Sequence, residues 1–162
     1  MDLKRIGVAI FSGVTLGLLA VSIGNNYWIV NERSVKGGLW GLCVPSCIGN
    51  YCSEICVTYT VDQIKDDEFH AVRAFACIAV FLATVGWFVA VLRMCKELNV
   101  KLAAGCFLGA GICMIIALSI YTNMTSTLIK LPGAMYGWCY ILGWISSILC
   151  FTTMIVNCKC SN

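Results

Sequence analysis

The chain has 162 residues, of which 60% are hydrophobic and 12% charged, with a mean hydropathy of +0.87 and a net charge of +3. A water-soluble domain carries about 25% charged residues, so that class is excluded first. The small, dispersed positive charge, with no basic stripe interleaved with aromatics, excludes a nucleic-acid binder. A single membrane domain accounts for residues 1–162.

A helix crosses the hydrocarbon core with about 20 apolar residues. Four windows of that length contain no Asp, Glu, Lys, Arg or His: 6–23, 74–92, 102–121 and 136–156. They predict four spans joined by a long loop over 24–73, a short turn over 93–101 and a second loop over 122–135. The first window follows Lys4 and Arg5 and resembles a signal segment. Its length, and the Asn25-Asn26-Tyr27-Trp28 that follows in place of a small-residue cleavage site, predict a retained anchor. With both termini inside, the inner segments carry six basic and two acidic residues, and the outer loops five basic and six acidic. The inner cations lie in short segments close to span ends, where the positive-inside bias acts. The expectation is therefore a plasma-membrane protein with both termini cytoplasmic.

The long loop holds Cys43, Cys47, Cys52 and Cys56, spaced C-x3-C-x4-C-x3-C. In a hairpin turning at Ile48, Gly49, Asn50 and Tyr51, one antiparallel register sets Cys43 opposite Cys56 and Cys47 opposite Cys52. Four-residue separations then put all four sulfurs on one face. The register favours nested disulfides among the three possible pairings. Zinc is the rival chemistry, disfavoured by C-x3-C spacing without a nearby histidine. Pro45 shares the cysteines' pair type and is tolerated if those pairs are non-hydrogen-bonded. Lys36-Gly37-Gly38 reads as a turn before a strand over 39–44. Residues 60–69 read as a short amphipathic helix with Asp62 at its N-cap. Trp28 and Trp138, near outer span ends, read as interfacial belt residues.

Taken together, Trp28, Gly38-Leu39-Trp40, Cys43, a second cysteine and Arg73 at the start of span two resemble the signature of claudins and their relatives. These relatives are the peripheral myelin protein, the epithelial membrane proteins and the lens fibre intrinsic membrane protein. The likeness covers nearly the whole chain. Ala117-Leu118-Ser119-Ile120-Tyr121-Thr122 and Tyr140-Ile141-Leu142-Gly143-Trp144 look most like the lens and epithelial branch. The resemblance implies an all-α membrane protein: a left-handed four-helix bundle capped by a small extracellular antiparallel sheet from the first loop. It also implies an adhesive or organising role at cell–cell contacts. The chain departs from the pattern in three places. Trp28 and Trp40 lie close together, implying a short first hairpin. A second cysteine pair is present, so Cys52 and Cys56 compete for the family's second cysteine. The terminal Cys158-Lys159-Cys160-Ser161-Asn162 lacks a scaffold-binding hydrophobic end.

The tip residues Ile48, Gly49, Asn50 and Tyr51 and the acidic run Asp66, Asp67 and Glu68 are the partner-binding candidates. The acidic run reads otherwise as a solvated helix face, or as the lining of a cation-selective paracellular path; it lacks the spacing of a calcium loop. Arg73 pairs with that run or binds outer-leaflet carbonyls. Asn123-Met124-Thr125 is a glycosylation sequon, and Cys95, Cys158 and Cys160 are juxtamembrane palmitoylation candidates. Gly13-x-x-x-Gly17 and Gly105-x-x-x-Gly109 are small-residue faces suited to packing within the bundle or to dimerisation. His70 stands alone, and no span carries Asp, Glu or His, so no catalytic, metal or cofactor site is expected. The expected partners are membrane lipid and other membrane proteins, in cis or in trans, including further copies of the chain; nucleic acid and a small-molecule substrate are not. Two function classes follow: a structural or adhesive tetraspan, and an auxiliary subunit or trafficking regulator acting in cis.

Overall fold

The computed structural model of the chain describes residues 3–31, 35–48, 51–59, 67–94, 99–130 and 132–159. Four helices run α1 (Leu3–Gly24), α2 (Asp67–Leu92), α3 (Val100–Thr125) and α4 (Trp138–Lys159). Each is long enough to span a bilayer, and the mean hydropathy of the best window lies between 1.9 and 2.5. The helices overrun the charge-free windows because the polar ends reach past the hydrocarbon. Asp67 and Glu68 occupy the first turn of α2, where carboxylates complement the helix dipole. The Asn99 side chain caps α3 by accepting from the Lys101 N–H at 3.0 Å.

The helices form a ring in which α1 packs on α2 and α4, and α3 on α2 and α4. Consecutive helices alternate in direction, so both chain ends lie opposite the sheet. Where lipid is the solvent, helices associate through close packing and polar contacts rather than by escape from water. Leu19, Phe107, Met114 and Leu118 are fully buried among small residues such as Ala79, Ala83, Ala110 and Ala117. Ser12, Thr15, Ser146, Ser147 and Thr153 are buried too. Their hydroxyls donate back to carbonyls three or four residues earlier, as Ser12 does to Val8 at 2.7 Å. Two hydroxyl contacts cross between α1 and α4: Thr15 Oγ1 lies 3.0 Å from Thr153 Oγ1, and Ser22 donates to the Cys139 carbonyl at 2.8 Å. Ile10, Phe81, Phe88 and Ile148 point outward as apolar, exposed side chains, the surface a bilayer covers.

Each small-residue motif packs inside the bundle at only one of its glycines. A Cβ on Gly13 would sit 3.0 Å from Trp87 Nε1, and one on Gly109 would sit 3.1 Å from Leu82 Cδ1. Gly17 and Gly105 have nothing within 4 Å. At Gly86, on α2, a Cβ would meet Phe107 Cε2 of α3 at 2.9 Å, closer than at either motif glycine.

Five strands make one antiparallel sheet: β1 (Ile29–Asn31), β2 (Lys36–Gly37), β3 (Gly41–Ile48), β4 (Tyr51–Thr58) and β5 (Ala134–Tyr136), in the order β4-β3-β2-β1-β5. The hairpin register is the expected one, with Cys43 opposite Cys56, Pro45 opposite Glu54 and Cys47 opposite Cys52. Both cysteine pairs are bonded, nested as the register requires, with Cα atoms 4.0 Å apart. That close spacing belongs to non-hydrogen-bonded pairs, which is why Pro45 sits mid-strand without losing a ladder bond.

Several local expectations change. The sheet is not built from the first loop alone: β5 comes from the second loop and pairs with β1, Ile29 opposite Tyr136 and Asn31 opposite Ala134. Three residues carry too weak a pattern to read as a strand before their partner is known. Lys36 and Gly37 are in β2, paired on both sides, and the turn falls at residues 38–40, closed by the Gly38 N–H donating to the Gly41 carbonyl at 2.9 Å. The expected strand over 39–44 therefore starts at Gly41. The short helix over 60–69 lies mostly outside the described residues, as does Asp62; Asp67, Glu68 and Phe69 are the first turn of α2 itself. Trp28 is not a lipid-facing belt residue, since none of it is exposed; Trp138, 47% exposed at the start of α4, is placed as a belt residue should be.

Gly86→Leu should cost on the order of 1–3 kcal/mol through overpacking and deplete the monodisperse peak in detergent size-exclusion chromatography. Gly17→Leu should leave that peak at wild-type height, since its Cβ meets open space.

Candidate interaction site

Helix α1 ends at the sheet, and the last four carbonyls of any helix lack intrahelical partners. Two tryptophans supply donors. Trp28 Nε1 donates to the Ser22 carbonyl at 2.8 Å, and Trp40 Nε1 donates to the Ile23 carbonyl at 2.9 Å. Trp28 is then enclosed by edge-to-face contacts with Tyr121, at 4.8 Å between ring centroids, and Tyr140, at 6.1 Å. Leu39, fully buried in the core cluster, is driven inward by the same turn.

The turn demands glycine. A Cβ on Gly38 would lie 2.5 Å from Asn26 Cα and 2.9 Å from the Asn25 carbonyl oxygen. No side-chain rotation relieves a clash with backbone, so the sheet can sit this close to the end of α1 only with hydrogen at that position.

Arg73 joins the turn to α2. Its Nε donates to the Leu39 carbonyl at 2.7 Å, and its guanidinium lies 4.8 Å from the Phe69 ring, 5.3 Å from Trp40 and 5.9 Å from Tyr59. A cation over aromatic faces and one strong hydrogen bond hold it there. Burial pushes the Tyr59 phenol up, against the opposing pull of the Arg73 cation. The signature residues Trp28, Gly38, Leu39, Trp40, Cys43 and Arg73 thus form one joint between sheet and bundle. Arg73 is engaged in that joint, and among the described residues it makes no ion pair with Asp67 or Glu68.

The hairpin β3–β4 projects from the joint. Its disulfide face also carries Lys36, which forms an ion pair with Glu54 and stacks 4.8 Å over the Tyr27 ring. Donating a hydrogen bond to the Glu54 carboxylate holds the Lys36 ammonium above its ordinary value, with Tyr27 adding to the effect. A raised folded value gives stability that is fully present below the ordinary lysine range and is lost only as pH climbs through the raised value. The pair is therefore constant across physiological pH.

Ile48 and Tyr51 close the hairpin as a pair, while Gly49 and Asn50 lie outside the described residues. Asp67 and Glu68 are exposed at the start of α2, and Asp66 lies outside the description. Asn123 is exposed in the last turn of α3 and Cys158 is exposed near the end of α4; Cys95 and Cys160 lie outside. Sequence reading missed Tyr27, Tyr59 and Phe69, whose aromatic rings hold Lys36 and Arg73. It also missed Gly137, where a Cβ would lie 2.1 Å from the Tyr27 carbonyl oxygen. The one signal for Gly137 was its place directly before Trp138 at the start of a span.

Four helices able to span a membrane, with a disulfide-stapled sheet locked to one end, define a tetraspan membrane protein. The chain belongs to the PMP-22/EMP/MP20/Claudin family, which it matches over residues 1–156. It is 27% identical to epithelial membrane protein 1 of Homo sapiens over 155 residues, covering 92% of this chain and 90% of that one. It is 29% identical to the Rattus norvegicus form over 156 residues, with the same coverage. It is 27% identical to the lens fiber membrane intrinsic protein of Rattus norvegicus over 145 residues, covering 83% and 78%.

Arg73→Leu should cost about 1.5–3 kcal/mol, the range for a hydrogen bond to a charged group, read as a lowered unfolding midpoint in detergent. Trp40→Phe keeps the ring but removes the donor and should cost about 1 kcal/mol. An unchanged midpoint for both would show that the joint is not what secures the sheet.

Proposed function

We propose that this chain is a structural, non-enzymatic tetraspan of the plasma membrane that organises contact between cells through the tip of its β3–β4 hairpin. The sheet lies outside and both termini lie in the cytoplasm. The observation that carries this reading is the doubly bridged hairpin. Two strands of eight residues, cross-linked at Cys43–Cys56 and again at Cys47–Cys52, project from a joint that fixes their base. A rigid, pre-organised extension loses little freedom on meeting a partner. Disulfides persist in an oxidising exterior, and Lys4, Arg5, Arg93, Lys101 and Lys159 cluster at the opposite helix ends. Ile48, Gly49, Asn50 and Tyr51 form the contacting tip, flanked by Asp66, Asp67 and Glu68. Asn123 is a glycosylation site on the outer side, and Cys95, Cys158 and Cys160 are acylation sites on the inner side.

A second reading, an auxiliary subunit acting in cis, is favoured by Gly17 and Gly105, whose open surfaces suit close approach by another span.

The bridges separate these readings. The outer bridge, 13 residues apart in sequence, constrains the unfolded chain more than the inner one, 5 apart; a loop of about 15 residues is worth ~3 kcal/mol. Cys43→Ser or Cys56→Ser should therefore retain the protein in the secretory pathway. Cys47→Ser with Cys52→Ser should reach the surface but fail to gather at contacts between expressing cells. Normal gathering by the double variant, together with loss of partners on the same cell in Gly17→Leu, would replace the adhesive reading with the cis one. Staining of an N-terminal tag on intact cells would overturn the orientation.

A further inference from the structure

The sheet is amphipathic, and its two faces meet different surroundings. One face carries Lys36, Glu54 and both disulfides. By the strand alternation, the other carries Ile29, Gly37, Leu42, Val44, Ile55 and Val57, with Asn31, Ser46 and Ser53 as its small polar members. Ile29, Gly37 and Leu42 form the roof of a cavity of about 330 Å³ whose floor is the end of α3, at Tyr121, Met124 and Leu128. The apolar face is therefore turned toward the ends of the helices, and hence toward the bilayer. It continues beyond the bundle along the hairpin, where Val44, Ile55 and Val57 are 39%, 54% and 53% exposed. Leu128, which lines the cavity, is itself 49% exposed.

We infer that this face is a lipid-binding surface, and that the cavity beneath it receives an acyl chain of a phospholipid from the adjoining leaflet. Three observations select that occupant. The first is that the lining is mainly apolar, with Ile29, Leu42, Phe69, Met124 and Leu128 outweighing the polar groups of Asn31, Tyr59, Tyr121 and Thr125. Of these, the Thr125 hydroxyl already donates to the Tyr121 carbonyl at 2.7 Å and lies 3.4 Å from the Tyr136 hydroxyl. The strands of the roof are likewise paired with one another along β5-β1-β2-β3. A peptide entering here would lose the hydration of its backbone against a mainly apolar lining, whereas a hydrocarbon chain gives up no hydrogen bond. Second, apolar cavities stay dry and take apolar guests, and the medium at this mouth is lipid. Third, the volume is at the lower end of the ~300–1,000 Å³ range of ligand pockets, which suits one flexible chain better than a rigid ring system. The surface is continuous with the bilayer interface that the helices already present, so the lipid needs only to lift one chain into it.

Gly37 provides the test. A Cβ there meets only Leu42 Cδ1, at an ordinary 3.8 Å, so Gly37→Leu extends a side chain into the cavity without displacing the backbone. The full chain is reconstituted in phosphatidylcholine vesicles doped with a phosphatidylcholine bearing a diazirine on its acyl chain, then illuminated and mapped by mass spectrometry. Wild type should carry adducts at Leu42, Tyr121 and Met124. Gly37→Leu should carry about tenfold fewer there, the change expected for ~1.4 kcal/mol of lost affinity, with unchanged labelling at Phe81 and Ile148 as proof of folding and insertion. If labelling at Phe81 and Ile148 changes, Ala134→Leu fills the same cavity from β5 and is read in the same way. Wild-type adducts confined to Phe81 and Ile148 would overturn the inference, as would cavity adducts that survive both fillings. Loss of cavity adducts on adding cholesterol would assign the site to a sterol and overturn the acyl-chain occupant.

Discussion

The structure depends on what happens where α1 ends. A helix that stops at a membrane boundary leaves carbonyls directed at a region where water is scarce and lipid offers no donors. Here the chain itself answers, turning Trp28 and Trp40 back so that two indole N–H groups reach consecutive carbonyls, Ser22 and Ile23. Indole is suited to the task because it carries one donor on a large apolar ring. Once both rings are in place, the loop between them has little freedom. Gly38 must lie against Asn26, Leu39 must enter the core, and the Leu39 carbonyl faces Arg73. The sheet is thus oriented by the end of a helix, and everything it presents outward follows from that geometry.

Much of this was legible beforehand, for identifiable reasons. The spans were clear because charge is costly in hydrocarbon, so its absence over 18 residues or more is a strong signal. The hairpin was clear because two cysteine pairs with a common index sum admit one register. The joint was visible only as a resemblance: spacing shows that Trp28, Trp40 and Arg73 recur together, but not that two of them serve one helix end. What stayed hidden depended on partners far away in sequence. Ala134–Tyr136 is a strand only because β1 lies beside it, and Tyr59 and Phe69 matter only because Arg73 reaches both. Trp28 was misplaced in the lipid belt because the same preference for a wet tip and a dry body suits a buried cap.

The disulfides and the apolar underside share one logic. A sheet this small, with one face toward water, buries too little apolar surface to hold its shape alone. Both bridges lie on the face with Lys36 and Glu54, leaving the other free of sulfur and charge. Cross-links hold the strands together while the opposite surface stays uncharged and mainly apolar. A stapled sheet can therefore present to the bilayer a surface that would otherwise drive collapse or aggregation in water.

The pairing of β1 with β5 has a consequence in time. Translation proceeds from the N-terminus, and β5 lies in the last stretch of chain before α4. When α1 and the hairpin have been made and α4 has not, one edge of β1 is still open, and the carbonyls of Tyr27 and Trp28 still await the N–H groups of Cys139 and Gly137. The ladder closes only when the final helical pair has inserted. Its completion marks a fully assembled bundle, and a chain stalled before that point still displays an unfinished strand edge open to pairing with another chain.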